Sequence, residues 1–367
     1  MENKYDASKD FTDKFHEAQD KIRQETKRPN ILVCGYTGSG KTSLIKAILG
    51  DIVPPEKVGD GKPKTMGYAL YENDEIRAWD SQGLELGQTE EEFTATTKQF
   101  VRSRQCDVNI DNHVHIVWYT IPGPGARVTD CDINLIKNIF NTNDLIVVIA
   151  KKDITSAAQL QALRKRLQED AGLPAERIIA TSDIEAGCEG CDTLVALSYK
   201  MLPAAYKDAF MEAQRIDREG RIELLKAKSL KARLIIGTAT TAATGIGAIP
   251  IPCSDALLLM PVQVAMIASL AALYGLGTEA VKVAALPFLG RLAGMYTASS
   301  LLKLIPGLGS AVNAAVAGGL TLAMGWYVQS HFYDIAEAKI NGQPPPDMAF
   351  DFDSFKQFYQ NYKQQEA

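Results

Sequence analysis

The chain has 367 residues, 46% hydrophobic and 23% charged, with a formal net charge of -5. That length can bury a full core and accommodates two domains. The acidic balance offers no basic face to a phosphate backbone, which makes nucleic acid an unlikely principal partner. Charges are dense as far as Lys231, whereas 256–278 and 304–333 hold no Asp, Glu, Lys or Arg. The charged start, Met1-Glu2-Asn3-Lys4-Tyr5-Asp6, lacks an apolar stretch with a cleavage site and reads as a cytoplasmic N-terminus. The 6 cysteines then read as reduced thiols. Cys188 and Cys191 form a CxxC with no second ligand pair beside it, which favours a surface turn over a redox or metal role.

Residues 6 to 26 space Phe11, Phe15, Ala18 and Ile22 as an amphipathic helix that ends before Arg28-Pro29. Ile31-Leu32-Val33-Cys34 is a buried-strand run feeding a glycine-rich loop and a helix from Lys41 to Leu49. Strands are expected at 68–71, 76–79, 113–121, 145–150 and 177–181, with helices near 89–104, 130–140, 155–170 and 191–201. This alternation predicts an α/β fold with a mostly parallel sheet flanked by helices, the strands near Tyr68 and Ile76 pairing antiparallel at one edge. Leu202-Pro203 closes that domain, and Ala204–Ala242 reads as one long helix. Beyond it Pro250, Pro252, Pro261, Pro287 and Pro306 are expected to cut an Ala- and Gly-rich region into moderate helices. A Pro344-Pro345-Pro346 linker leads to an aromatic helix capped by Asp353 or Ser354. The expected divisions are 1–28 N-terminal helix, 29–203 nucleotide domain, 204–342 all-α domain, and 343–367 linker and final helix.

Gly35-Tyr36-Thr37-Gly38-Ser39-Gly40-Lys41-Thr42 fits GxxxxGK[ST]. Small residues let backbone N–H groups surround a β-phosphate, and the following helix offers its positive end. Lys41 neutralises β- and γ-phosphates and Thr42 binds Mg2+, with Ser43 the next helical residue. Asp80-Ser81-Gln82-Gly83 supplies a metal-holding acid and a γ-phosphate-sensing N–H at Gly83, and Thr65 offers a second hydroxyl to the metal from a mobile loop. Lys41, Thr65 and Gly83 are the catalytic candidates, and Thr42, Thr65 and Asp80 the metal candidates. After the strand 145–150, Lys151 and Asp153 match the guanine-reading Lys-x-Asp, with Ala150 in place of the usual polar residue. Thr181 and Ser182, before Asp183, form the loop that receives the guanine oxygen. The inferred cofactors are GTP or GDP and Mg2+.

Together these segments resemble translation-factor-related GTPases, in the branch holding the Era-like and ribosome-assembly proteins. Asp80-Ser81-Gln82-Gly83-Leu84-Glu85, His115-Ile116-Val117-Trp118-Tyr119 and Arg127 resemble bacterial GTPases with a C-terminal helical region of the DUF697 type. That region is recognisable in Gly247-Ala248-Ile249-Pro250-Ile251-Pro252-Cys253-Ser254-Asp255, Gln263, Tyr274-Gly275 and Ile305-Pro306-Gly307-Leu308-Gly309-Ser310-Ala311-Val312-Asn313. The phosphate loop is also similar to those of septin-like and immunity-related GTPases. The resemblance implies a P-loop GTPase fold with an all-α C-terminal domain, slow intrinsic hydrolysis, and stimulation by a homodimer through the G domain or by a partner. Leu84 stands where many small GTPases place a water-orienting glutamine, leaving Arg127, Gln82 and Arg77 as candidates for that role.

Residues 256–277 and 304–328 are long enough to span a membrane. A buried bundle suits the same composition, so contact with a membrane lipid or membrane protein through 234–330 stays open beside it. Lys226, Lys228, Lys231 and Arg233 could meet anionic lipid. Three functions remain: a GTP-hydrolysing switch that repositions the helical domain, a nucleotide-loaded membrane adaptor with negligible turnover, and a ribosome- or RNA-assembly GTPase.

Overall fold

The computed structural model describes residues 6–54, 67–83, 89–125, 127–140, 144–182, 187–247, 255–297 and 313–366. In chain order these contain α1 (Ala7–Glu25), β1 (Asn30–Gly35), α2 (Lys41–Leu49), β2 (Tyr68–Glu72), β3 (Arg77–Ser81) and α3 (Glu90–Gln105). Then follow β4 (Ile116–Pro122), α4 (Asp130–Asn138), β5 (Leu145–Ala150), α5 (Ala157–Glu169), β6 (Ile178–Ala180) and α6 (Cys191–Met201). All-helical sequence completes the chain: α7 (Ala204–Ala213), α8 (Arg218–Gly247), α9 (Asp255–Leu273), α10 (Thr278–Thr297), α11 (Asn313–Ile340) and α12 (Phe352–Glu366). Two compact units result, one of Thr26–Gly220 and one joining Met1–Glu25 to Arg221–Ala367.

The first unit is an α/β fold, a mostly parallel sheet flanked by helices. Its sheet runs β2-β3-β1-β4-β5-β6, with β2 antiparallel to β3 at one edge and every other pairing parallel. The central strands are mostly apolar because both faces are covered, with Thr120 a buried hydroxyl within β4. Leu32, Val117, Tyr119, Val147 and Ile149 pack with Phe93, Leu135 and Leu167 of α3, α4 and α5. Ile31, Val33, Trp118, Ile146 and Val148 face Ile45, Ile48, Leu194 and Phe210 of α2, α6 and α7. Capping boxes start three helices: Thr89 with Glu92, Thr129 with Asp132 and Ser156 with Gln159.

The expected helix 204–242 is two helices, and the boundary expected at 203 falls at 220. Tyr206 and Phe210 of α7 are buried in the sheet core. The buried Gln214 ends α7, its Oε1 accepting from the N–H groups of Ile216 and Asp217 at 2.8 Å. Asp217 Oδ1 then accepts from Gly220 N at 2.9 Å. A glutamine inside a helical run carries no breaking signal, because only its burial turns its amide onto the main chain.

At the N-terminal ends of the strands, His115 Nδ1 accepts from Asn30 N at 2.9 Å and the ring lies 4.0 Å from that of Tyr206. Burial depresses its pKa to about 4, against the raising influence of Asp111. Unfolding therefore takes up a proton between about pH 4 and the ordinary 6.5. Stability rises with pH across that window and the contribution is complete above it. Urea midpoints of the sheet unit should climb from pH 4.5 to 7, and His115→Gln should flatten that climb.

In the second unit the amphipathic α1 is no separate segment. Phe11 and Phe15 are buried among α9 and α10 residues, including Ile267, Leu270, Val281 and Ala285. Pro261 and Pro287 lie inside α9 and α10, not at their ends. Burial of Leu259, Val264, Ile267, Phe288 and Leu289 around them offsets the roughly 3 kcal/mol an interior proline costs. Glycine permits close approach of α11 to α8: a Cβ on Gly325 would stand 2.8 Å from Ile236 Cγ2. Gln263 Nε2 donates to Thr321 Oγ1 at 3.4 Å, and Gln329 Nε2 to the Tyr274 hydroxyl at 2.9 Å. Among the described residues no helix is long and apolar enough to cross a membrane.

Phe355 and Tyr359 of α12 are buried with Phe288 and Phe350, which gives the aromatic helix its docking face. Its cap is Asp351, not Asp353 or Ser354: Oδ2 accepts from Ser354 N at 2.7 Å. Pro250, Pro252 and Pro306 lie outside the described residues, as do most of the two motifs around them.

Candidate phosphate-binding site

Parallel strands deliver their following loops to one edge, and the sheet reverses direction of growth at β1, which β3 and β4 flank. Ligands of such sheets bind at that crevice. Four of the segments singled out in the sequence meet there.

The loop after β1 is shaped by close approach and positive φ. Gly35 has φ +141, and a Cβ on it would stand 2.1 Å from Thr120 O. Gly38 and Gly40 adopt φ +74 and +86, so the loop turns its N–H groups inward before α2 begins. Lys41 is buried, and its Nζ donates to Gly35 O at 3.2 Å and Tyr36 O at 2.8 Å. The ammonium is thus held across the mouth of the loop. Thr42 Oγ1 donates to Asp80 Oδ2 at 2.5 Å, joining the first turn of α2 to β3. Ser43 follows, half-buried.

Gly83 presses on the same loop. A Cβ there would lie 2.6 Å from Lys41 Nζ and 2.8 Å from both Gly35 O and Thr37 N. The Thr37 hydroxyl donates to Gln82 O at 3.5 Å. Only glycine lets the Asp80–Gly83 turn come this near the lysine. Thr65, Leu84 and Asp183 lie outside the described residues.

Lys151 and Asp153 follow β5, Lys151 in a left-handed turn with φ 61 and Asp153 exposed. Lys152 N donates to Thr181 O at 2.9 Å, placing the loop after β6 beside them. A Cβ on Gly40 would meet Ala150 Cβ at 3.9 Å, so this pair of loops adjoins the phosphate loop. Ala150 has no polar side chain to brace the turn. Thr155 Oγ1 instead donates to Lys151 O at 2.5 Å, and Gly123 N to Ala150 O at 2.9 Å.

Two supports were not anticipated. Thr120 and Ser39, both buried, hydrogen-bond at 2.6 Å through their hydroxyls and fasten the loop to β4. Tyr36 OH is 2.7 Å from Thr129 Oγ1, and Asp132 Oδ2 accepts from Thr129 N at 2.7 Å and Thr129 Oγ1 at 3.1 Å. Tyr119 OH donates to Asp132 Oδ1 at 2.5 Å. Burial raises the Asp132 carboxyl above its usual range and lifts the Tyr36 phenol well above 10. A hydroxyl inside the apolar run Val117–Ile121 and the Thr129-x-x-Asp132 capping pattern were the available signals.

Of the candidates for orienting water, Gln82 stands at this site, its main-chain carbonyl accepting from the Thr37 hydroxyl, whereas Arg77 does not. Arg77 begins β3, where its Nε reaches Glu72 Oε2 at 3.2 Å, at the opposite end of the strand from Gly83. Gln82 Oε1 accepts from Gly67 N at 2.6 Å, and Arg127 is exposed.

A family model described as Septin matches residues 65–187. Septin CDC11 of Candida albicans is 23% identical over 172 residues, 38% of this chain and 41% of that protein. Cell division control protein 11 of Encephalitozoon cuniculi is 23% identical over 163 residues, 40% and 61% respectively. The chain therefore spans about half the length of these relatives. Among solved structures, Era in complex with MgGDPNP and 16S ribosomal RNA aligns at TM-score 0.35 and 17% identity over 48% of this chain and 58% of that one. Toc33 of Arabidopsis thaliana with Mg2+ and GMPPNP aligns at 0.33 and 14%, over 55% and 92%. The sequence matches thus lie with septins, a different branch from the Era-like one expected.

Proposed function

We propose that Thr26–Gly220 binds and hydrolyses GTP with Mg2+ and serves as a nucleotide switch for the helical unit. The observation that carries this reading is the convergence of Lys41, the Thr42–Asp80 pair and Gly83 at the end of β1. A hydroxyl and a carboxylate oxygen form the hard-oxygen donor pair that suits Mg2+, so Thr42 and Asp80 would hold it. The metal would neutralise charge on the terminal phosphates. Thr65 would add a hydroxyl when the triphosphate is bound.

In this mechanism the loop N–H groups and Lys41 grip the β- and γ-phosphates, and Gly83 N–H reads the γ-phosphate. Water attacks Pγ, the bond to the bridging oxygen breaks with its electron pair passing to GDP, and the proton leaves with inorganic phosphate. Gly83 then loses its contact, which is the mechanical event of the switch. Lys151 and Asp153 would read guanine, with Thr181 and Ser182 at its oxygen. The output of this switch is the helical unit, and association through 234–330 with a membrane protein or lipid surface belongs to the same proposal. A homodimer through the G domain would supply the stimulation that Leu84 leaves wanting.

Asp153→Asn tests the base assignment. The carboxylate accepts from ring N1–H and the exocyclic amine of guanine, whereas the amide offers a donor to one of them. GTP affinity should fall about five- to 150-fold, by the ~1–3 kcal/mol of a polar mismatch left unpaired. Competition titrations with GTP and ATP read this directly. Wild-type affinity for ATP equal to that for GTP would sink the assignment.

A further inference from the structure

We propose that Cys188 and Cys191 form a reversible thiol–disulfide site whose redox state sets guanine-nucleotide affinity. The two cysteines are bonded to each other across three residues of chain, where the sequence suggested reduced thiols in a bland turn. Among the described residues, Cys34, Cys106 and Cys131 are free.

The bridge closes the turn that clamps the base-reading loops. Glu189, between the cysteines, accepts from Ser182 N through its main-chain oxygen at 3.0 Å and donates its N–H to Ser182 Oγ at 2.7 Å. The Glu189 carboxylate also pairs with the Lys152 ammonium. Lys152 N in turn donates to Thr181 O. Gly190 abuts the end of β6 so closely that a Cβ would stand 2.2 Å from Ala180 O. Cys188 holds φ +50, a left-handed conformation unusual for a side-chain-bearing residue. One crosslinked turn thus touches both segments assigned to the base.

Its surroundings suit exchange. Cys191 is fully buried and is the first residue of α6, while Cys188 is half-buried. A dithiol reductant attacks Cys188 Sγ through its thiolate, the S–S bond breaks, and Cys191 leaves as a thiolate at the positive end of α6. The reductant's second thiol then attacks its own sulfur in the mixed disulfide, releasing Cys188 and carrying away the oxidised reductant. Two electrons reach the protein, and a small disulfide such as oxidised glutathione reverses the sequence. Reduction frees the left-handed Cys188 and loosens the Glu189–Ser182 clamp. Oxidised protein is the high-affinity form.

This inference rests on reading 151–153 and 181–182 as base contacts, so the test needs a readout that survives failure of that reading. Methylanthraniloyl-GDP with Mg2+ is titrated into the full chain, oxidised and after dithiothreitol, with thiols located by alkylation and mass spectrometry. Amide exchange of Lys152, Ser182 and Glu189 is followed without nucleotide. Reduction should expose thiols at Cys188 and Cys191 and weaken binding about fivefold, as a loop competent a fifth of the time would. Oxidised glutathione should restore it, and the Cys188→Ser/Cys191→Ser variant should stay weak in both states. Thiols that appear with unchanged affinity overturn the proposal. If no nucleotide binds in either state, the function reading fails and the effect on affinity with it; faster exchange at those three amides on reduction would still support redox control of the turn, and unchanged exchange would refute that too.

Discussion

Lys41→Ala is expected to weaken binding of GTP with Mg2+ by on the order of a hundredfold. The ammonium is buried and tethered across the loop by Gly35 O and Tyr36 O, so its charge acts where water screens it little. Losing one charge-assisted hydrogen bond costs about 1.5–3 kcal/mol. Removing the countercharge of two phosphate groups takes the effect to the upper end, where ~2.7 kcal/mol corresponds to a hundredfold. The substitution also leaves two carbonyls without that donor, so Lys41→Met, which retains the stem, separates charge from packing. Equilibrium titration is the measurement, with circular dichroism to establish that the sheet has formed. An affinity within threefold of wild type would remove Lys41 from the phosphate site.

The second large effect lies outside the nucleotide motifs. Asp132→Ala deletes the acceptor of the Tyr119 hydroxyl, of Thr129 N–H and of the Thr129 hydroxyl. Each is left in a buried or half-buried setting, and leaving a buried donor unsatisfied costs about 1–3 kcal/mol. The sheet unit should lose roughly that stability, read from exchange of β4 amides so that the helical unit does not contribute. Burial raises the Asp132 carboxyl, so the folded chain takes up this proton at a higher pH than the unfolded chain does. Stability therefore declines as pH rises from the usual carboxylate range through the folded pKa. Asp132→Asn, which keeps one oxygen acceptor, should cost less than alanine and remove that decline.

How legible these features were depended on whether their cause was local. β1 and its loop announce themselves because an apolar run must be buried on both faces and the turn after it needs glycine at Gly35, Gly38 and Gly40. The antiparallel β2–β3 edge followed from two strand patterns only a few residues apart. By contrast, Phe11 and Phe15 show that α1 has a buried face but not which core receives it. Gln214 breaks a helix by a tertiary hydrogen-bond pattern, and Pro261 and Pro287 are tolerated because their neighbours are packed. Asp351, not Asp353 or Ser354, caps α12, a shift of two residues that propensity does not resolve.

In the site, Lys41, Thr42 and Asp80 were readable from spacing because each touches a neighbour fixed by the strand–loop–helix order. Thr120 and Thr129 act through contacts 81 and 93 residues away, with Ser39 and Tyr36. No local pattern reports such pairings. The CxxC was visible, but its consequence depended on β6 ending beside Glu189 and Gly190. In the helical region, long uncharged stretches left membrane and bundle open. Burial of Gln263 and Thr321 beside Val264, Ile267, Leu320 and Ala323 favours the bundle for the described helices.

Single-turnover phosphate release by the full chain, with GTP and with ATP, tests the proposed activity most directly. The account predicts release from GTP that stops when Mg2+ is chelated and falls to background in Lys41→Ala, with ATP turned over far more slowly. No release from GTP in the presence of Mg2+, or equal release from ATP, would contradict it.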